Sequence, residues 1–402
     1  MNRFKYLIPV AFFLIGFASC NLFDKRDKAL LKTVDATLDF CVQQSVSMAE
    51  SLKDSVTLLP KTINRNGELE TCNSAWWVSG FFPGQLWYMY EYSKDDKLKQ
   101  WAETYSQRVA DQQFTTDNHD VGFMIFCSFG NGYRITKNED YLPVLRNAAN
   151  SLSTRFNDTI GCIRSWDKAG WNWQWQYPVI IDNMMNLELL MWSSKQFSQP
   201  WLADIAKSHA TTTLKNHFRP DGSSFHVVSY DTITGIVEKK QTSQGYSDSS
   251  AWARGQAWAL YGYTMMFRET GDQAYLDIAR KIATFILNHP NLPDDKIPYW
   301  DFNAPDIPSA KRDASAGAIM CSAFIELSQI SKGKDSKRYL ETAEMQLRSL
   351  CSDAYLAKPG ENCNFILKHS VGHHPNQTEV DVPLTYADYY FVEALMRYRH
   401  LK

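Results

Sequence analysis

A chain of 402 residues, 44% hydrophobic and 21% charged, is long enough for one large soluble domain or two of medium size. Its formal net charge of −2 argues against a nucleic-acid binder, because no basic surplus exists to neutralise phosphates; a small anionic ligand gripped by locally placed cations stays open. The 8 cysteines include no C-x-x-C pair, which argues against a cysteine-built metal site.

Taken in order, the chain begins with an export signal. Asn2-Arg3-Phe4-Lys5 is a positive segment, and the apolar run from Tyr6 to Phe17 is too short to span a bilayer. F-A-S-C at Phe17 to Cys20 resembles a bacterial lipobox. Residues 1–20 are therefore expected to be a lipoprotein signal peptide, with Cys20 carrying the lipid that tethers the mature chain in the periplasm or cell envelope. Cys41, Cys72, Cys127, Cys162, Cys321, Cys351 and Cys363 remain and read as scattered thiols.

After a polar tether, Asn21 to Arg26, apolar residues recur at helical spacing nearly everywhere. Helices are predicted over Ala29–Asp54, Gly80–Tyr92, Asp96–Gln112, Val121–Thr136, Glu139–Asn157, Val179–Phe197, Trp201–Phe218, Ala251–Glu269, Asp272–Asn288, Ala314–Ile330, Lys334–Cys351 and Leu384–Tyr398. Ser224–Asp231 and Gly235–Thr242 flank T-I-T-G as a β-hairpin, and Asn291 to Arg312 reads as a long ordered loop. No linker divides residues 21–402, which are read as a single domain. Twelve paired helices fit an all-α double ring with a site where loops gather at one end.

Chemistry concentrates in four aromatic clusters: Trp76 to Trp87, Asn118 to Phe123, the tryptophan-rich run from Trp166 into Tyr177, and Phe225 to Val228 followed by Gln244 to Tyr263. So much indole beside so little aliphatic side chain is poor core material and suits a wall on which a sugar ring stacks. Asp182 falls in the predicted first turn of the Val179–Phe197 helix, with Pro178 just ahead of it. His119 and Asp120 precede another helix. Arg254 lies between Trp252 and Trp258, where a guanidinium could hold a carboxylate through two parallel hydrogen bonds. No G-x-S-x-G, H-E-x-x-H or phosphate-binding glycine loop is present. Carboxylates, histidine, arginine and indole are the inventory of a carbohydrate enzyme working by proton transfer. No metal or other cofactor is expected.

The motifs W-x-x-G-F-F-P-G (Trp77 to Gly84), H-D-V-G-F (His119 to Phe123), V-I-I-D-N-M-M-N-L (Val179 to Leu187), W-A-R-G-Q-A-W (Trp252 to Trp258), R-D-A-S-A-G-A-I (Arg312 to Ile319) and Y-A-D-Y-Y-F-V-E-A-L (Tyr386 to Leu395) together resemble the unsaturated glucuronyl hydrolases of glycoside hydrolase family 88. The resemblance spans nearly the whole mature chain. It implies an (α/α)6 barrel and an unsaturated oligosaccharide substrate, cleaved from glycosaminoglycans by lyases. Asp182 would be the acid/base and Asp120 the second essential aspartate, with His119 beside it. Trp77 and Trp166 (or Trp171, if the W-N-W-Q insert shifts the register) would stack on the sugar. His226, Gln244, Arg254 and Trp258 would line the uronate subsite. The loop Lys368 to Gln377, with Lys368 and His373, is the candidate leaving-sugar subsite. An unsaturated rhamnogalacturonyl hydrolase shares the barrel and would act on pectin fragments. A sugar epimerase would be expected to carry a histidine pair on the barrel floor, and none is visible on facing helical motifs. A non-catalytic glycan-binding lipoprotein would need the tryptophans but not both aspartates.

Overall fold

The computed structural model describes residues 26–401. The expected signal segment 1–20, with its expected anchor Cys20, lies outside the described residues. In chain order the α-helices are α1 (Lys28–Ser51), α2 (Phe81–Ser93), α3 (Asp96–Gln107), α4 (Asn131–Thr136, continuing a π-helix over Gly122–Gly130), α5 (Tyr141–Ser153), α6 (Leu187–Gln196), α7 (Pro200–Asn216), α8 (Ala253–Thr270), α9 (Gln273–Asn288), α10 (Ala314–Ile330), α11 (Gly333–Leu350) and α12 (Thr385–Arg399). The even-numbered helices close a ring: α2 packs on α12, α12 on α10, α10 on α8, α8 on α6, α6 on the π-helix, and the π-helix on α2. The odd-numbered helices back them from outside. This is the (α/α)6 barrel expected from the sequence.

Residue choice separates the two rings. From Ala314 to Ile325 every residue of α10 is buried, because it faces neighbours on all sides. Outer helices bury one stripe, and three of them, α1, α3 and α9, are capped by an aspartate: Asp272 accepts the backbone N–H of Ala274, Asp95 that of Lys97, and Asp27 those of Ala29 and Leu30. Within the inner ring α2 lies backbone to backbone against the π-helix. A Cβ on Gly80 would fall 2.1 Å from the Met124 carbonyl oxygen, and one on Gly84 2.4 Å from that of Cys127.

Short antiparallel strands decorate the N-terminal end of the inner ring. They are β1 (Leu59–Ile63) with β2 (Leu69–Cys72), β3 (Phe156–Asn157) with β4 (Cys162–Ile163), β5 (Pro178–Ile180) with β6 (Val227–Tyr230) and β7 (Val237–Gln241), and β8 (Ser370–His373) with β9 (Thr378–Val382). Here the structure corrects the sequence reading in three places. The helix predicted from Val179 is a strand to Ile180, a 3₁₀ turn over Ile181–Met185, and only then α6. The run Val179-Ile180 pairs with Val228 and Val227, so β-branched stiffness wins over the helical spacing. The presumed loop Lys368 to Gln377 is largely the β8–β9 hairpin. The predicted helix Asp96–Gln112 also ends early, at Gln107, and gives way to a 3₁₀ turn over Ala110–Phe114.

Candidate active site

The N-terminal ends of the inner helices surround a cavity of about 690 Å³. Its walls are largely indole: Trp76, Trp77, Trp166, Trp171 and Trp175. Trp166 is the centre of one wall, with ring centroids 5.0 Å from Trp171 and 5.8 Å from Trp175. Trp77 forms another, 4.9 Å from the Tyr386 ring and 5.7 Å from Phe123. Trp166 is half-buried and so held in place, whereas Trp171 is 58% exposed at the rim. Trp173, 73% exposed, lies outside the lining.

Two carboxylates sit beneath these walls, and one serine ties their segments together. The Ser165 carbonyl accepts the His119 N–H at 3.2 Å, and its hydroxyl accepts the Ile180 N–H at 2.9 Å. This brings the turn before the π-helix, carrying Asp120, alongside the 3₁₀ turn carrying Asp182. Both aspartates are at least nine-tenths buried. Burial, and then the charge of Asp182, pushes the Asp120 carboxyl up to about 8, with Arg155 opposing. Burial pushes Asp182 up to about 7 against the lowering influence of Arg254 and the Trp258 indole. Low local polarity disfavours the charged form of an acid, so near neutral pH Asp120 keeps its proton and Asp182 is about half protonated. Burial dominates at Asp182, and the carboxylate repulsion is felt at Asp120.

His226 sets the other side. Its Nδ1 accepts the backbone N–H groups of Ser243 and Gln244 at 3.0 and 3.2 Å. That assigns the ring proton to Nε2, which lies 3.6 Å from Asp182 Oδ2. Burial and the nearby Arg254 charge hold this imidazole neutral, well below its usual range. His119 is wholly buried behind Asp120, its Nε2 3.5 Å from that carboxylate, and burial drives it down to about 3. Asp120, Asp182, His119, His226 and Trp258 are all buried behind the residues that line the cavity, and none of the five is part of that lining. Asp182 Oδ2, His226 Nε2, Trp258 Nε1 and both His119 ring nitrogens have no hydrogen-bond partner within the protein.

Arg254, expected to offer a free guanidinium, is occupied. It donates to Asp313 at 3.3 Å, to the carbonyls of Val371 and Gly372, and to Gln244 Oε1 at 3.2 Å, while lying over Trp252. It is 1% exposed. The contact to Gln244 orients that amide, so its NH₂ group is left for the cavity that both residues line. His373 lines the cavity too, but Lys368 does not: its ammonium donates to the Asp353 carbonyl. Asp313 and Arg155 escaped the sequence reading. Asp313 caps α10 through Ser315, an ordinary task that hides its grip on Arg254. Arg155 sits in a loop and contacts Asp167 and the Thr116 carbonyl. Lys61 and Glu379, also in the lining, carried no motif of their own, and Tyr386 opened the motif Tyr386 to Leu395 without a role assigned to it.

A further cavity of about 300 Å³ lies at the far end of the barrel, among Arg134, Glu188, Glu393 and Arg397. Its charges are mutually paired. Arg397 meets Glu326 at 2.6 Å, Arg134 meets Glu91 at 2.7 Å, and Arg268 joins Glu188 to Glu326. It closes the barrel floor.

An (α/α)6 barrel with two proton-holding carboxylates under an indole-walled cavity is the architecture of a glycoside hydrolase. The family model for glycosyl hydrolase family 88 matches residues 51–399. The chain belongs to that family. It is 46% identical to an unsaturated glucuronyl hydrolase of Formosa agariphila, over all of this chain and 99% of the relative. Among solved structures it is similar to an unsaturated glucuronyl hydrolase specific for heparin, with a TM-score of 0.88 and 48% identity over 91% of this chain and 97% of that one. It is also similar to a mutant of the Streptococcus agalactiae unsaturated glucuronyl hydrolase in complex with dGlcA-GalNAc6S, with a TM-score of 0.75 and 27% identity over 91% and 92% of the two chains.

Proposed function

We propose that this glycoside hydrolase is an unsaturated glucuronyl hydrolase. It removes the 4,5-unsaturated uronate from glycosaminoglycan fragments left by polysaccharide lyases. The observation that carries the mechanism is the carboxyl of Asp182, held by burial at about 7 with the neutral His226 Nε2–H facing it. The substrate's C4=C5 bond is an enol ether. Protonation at C4 by the Asp182 carboxyl leaves positive charge shared between C5 and the ring oxygen. Water adds at C5, and the Asp182 carboxylate takes its proton, restoring the acid. The C5 hemiketal then opens, C1 becomes the hemiacetal of the leaving sugar, and its collapse releases that sugar. Asp120, the more strongly raised of the two, keeps negative charge from accumulating beside Asp182 and orients the water. Trp77 and Trp166 stack on the rings, the Gln244 amide donates to the uronate, and Arg254 positions Gln244. Support for a glycosaminoglycan fragment comes from the relatives described as specific for heparin or solved with dGlcA-GalNAc6S. The mature chain is further read as lipid-anchored at Cys20 in the cell envelope, and Cys20→Ser would release it from the membrane fraction.

Reaction in heavy water tests the chemistry. The product must carry deuterium at C4, since the transferred proton comes from an exchangeable carboxyl. Asp182→Asn should consume the alkene, followed by its ultraviolet absorbance, at least 10²–10⁴-fold more slowly. A product without deuterium at C4, or an Asn variant of normal rate, refutes the mechanism.

A further inference from the structure

The cavity continues past its indole wall. Lys61, Thr378 and Glu379 line both it and a second groove of about 930 Å³, whose other surfaces include Asn64, Arg65 and Glu70 of the β1–β2 hairpin and Gln377. The junction between the two is built. The Lys61 ammonium lies 2.6 Å from Glu70 and 3.2 Å from Glu379, and 5.2 Å from the centre of the Trp76 ring. Glu379 reaches it from a left-handed backbone, φ +55°, in a strand where Asp381 is left-handed too, as is Gln377 in the turn just before it. It does so across a glycine: a Cβ on Gly372 would fall 2.2 Å from Glu379 Oε2. The two glutamates neutralise Lys61. Arg65 is then the cation of the groove with donors to offer, since it is exposed and makes one contact, to the Gln377 carbonyl at 3.3 Å.

We propose that this groove is a distal subsite. It receives the third and later sugars of an unsaturated oligosaccharide whose terminal uronate lies at Asp182, and Arg65 grips a carboxylate or sulfate on them. The proposal rests on the function given above. An alkene-bearing residue is the end of its chain, so the remaining sugars can leave the buried carboxylates only outward, and the groove is the continuation of the cavity. Its polar lining of amides, hydroxyl and carboxylates matches sugar hydroxyls. A planar guanidinium is suited to a carboxylate or sulfate through paired hydrogen bonds.

The test compares an unsaturated disaccharide with an unsaturated tetrasaccharide from a lyase digest of a sulfated glycosaminoglycan. In Arg65→Ala the ratio of kcat/KM, tetrasaccharide over disaccharide, should fall about tenfold, carried by KM, with Arg65→Glu lower still and Arg65→Lys partly restored. Calorimetric titration of the tetrasaccharide into Asp182→Asn, with and without Arg65→Ala, separates this claim from the hydrolase reading. Weaker binding on loss of Arg65 supports the groove even if neither sugar is turned over, an outcome that would sink the hydrolase reading instead. Disaccharide turnover with an unchanged ratio and Arg65-independent binding overturns the groove.

Discussion

Asp120 and Asp182 are a liability to the fold as well as its chemical asset. Each folded-state carboxyl is raised, to about 8 and about 7, above the value near 4 of an unfolded chain. Below pH 4 both states are protonated and nothing is lost. As pH rises toward 8 the unfolded chain sheds protons that the fold retains, and stability declines. Asp120→Asn should therefore melt above the wild type by a margin that grows from pH 4 to pH 8 and then levels off, while activity collapses. A margin independent of pH would show that the carboxyl is not perturbed. Arg254→Ala should act differently. It leaves Asp313 buried without its ion pair, and breaking such a pair costs about 3–5 kcal/mol, read as a large drop in Tm together with lost turnover. An Arg254→Ala enzyme with a normal Tm but a raised KM would return the arginine to direct substrate binding. The sequence offered Asp120, Asp182, Trp77, Trp166 and Gln244 through their motifs. It could not offer the true partners of Arg254, because Val371 and Gly372 arrive from more than a hundred residues further along the chain.

At the scale of elements, the long helices were legible because their signals agree. α9 has an aspartate cap, an apolar stripe and an asparagine at its end. The misread segments are those where local signals conflict. Pro178-Val179-Ile180-Ile181 satisfies a helical start and a strand equally, and only its partner strand decides. The β8–β9 hairpin needs left-handed residues at Gln377, Glu379 and Asp381, and of these only the aspartate is a residue type enriched in that region. Asp381 is anchored there by Lys311 and His369, Glu379 by Lys61. The contact of α2 with the π-helix gives a sharp expectation. In Gly84→Ala the added methyl meets the Cys127 carbonyl and the Tyr389 ring, so the helices must separate. Overpacking of this kind costs about 1–3 kcal/mol, measurable by denaturant unfolding, and a neutral result would mean that the two helices are looser than their spacing implies.

At the scale of the molecule, the double ring was readable from helix count and pairing, whereas its closure was not, since α12 must find α2 across the length of the chain. The reaction is assigned wholly to side chains. Among the described residues no group of three or more His, Cys, Asp or Glu could hold a metal ion. Activity should survive exhaustive EDTA treatment; loss restored by a divalent cation would overturn that assignment. The way the first helix joins the last fixes one more property. Asp27 pairs with Arg348 and donates its backbone N–H to the Tyr398 hydroxyl near the end of α12, while Asp35 holds Arg399. The chain thus enters the barrel at the floor, at the opposite pole from Tyr386 and the cavity mouth. From Cys20 to Asp27 it can reach no further than about 25 Å. Were the chain anchored at Cys20 as proposed, it would stand on its floor, with its mouth turned away from the lipid and its substrate arriving from the open aqueous side.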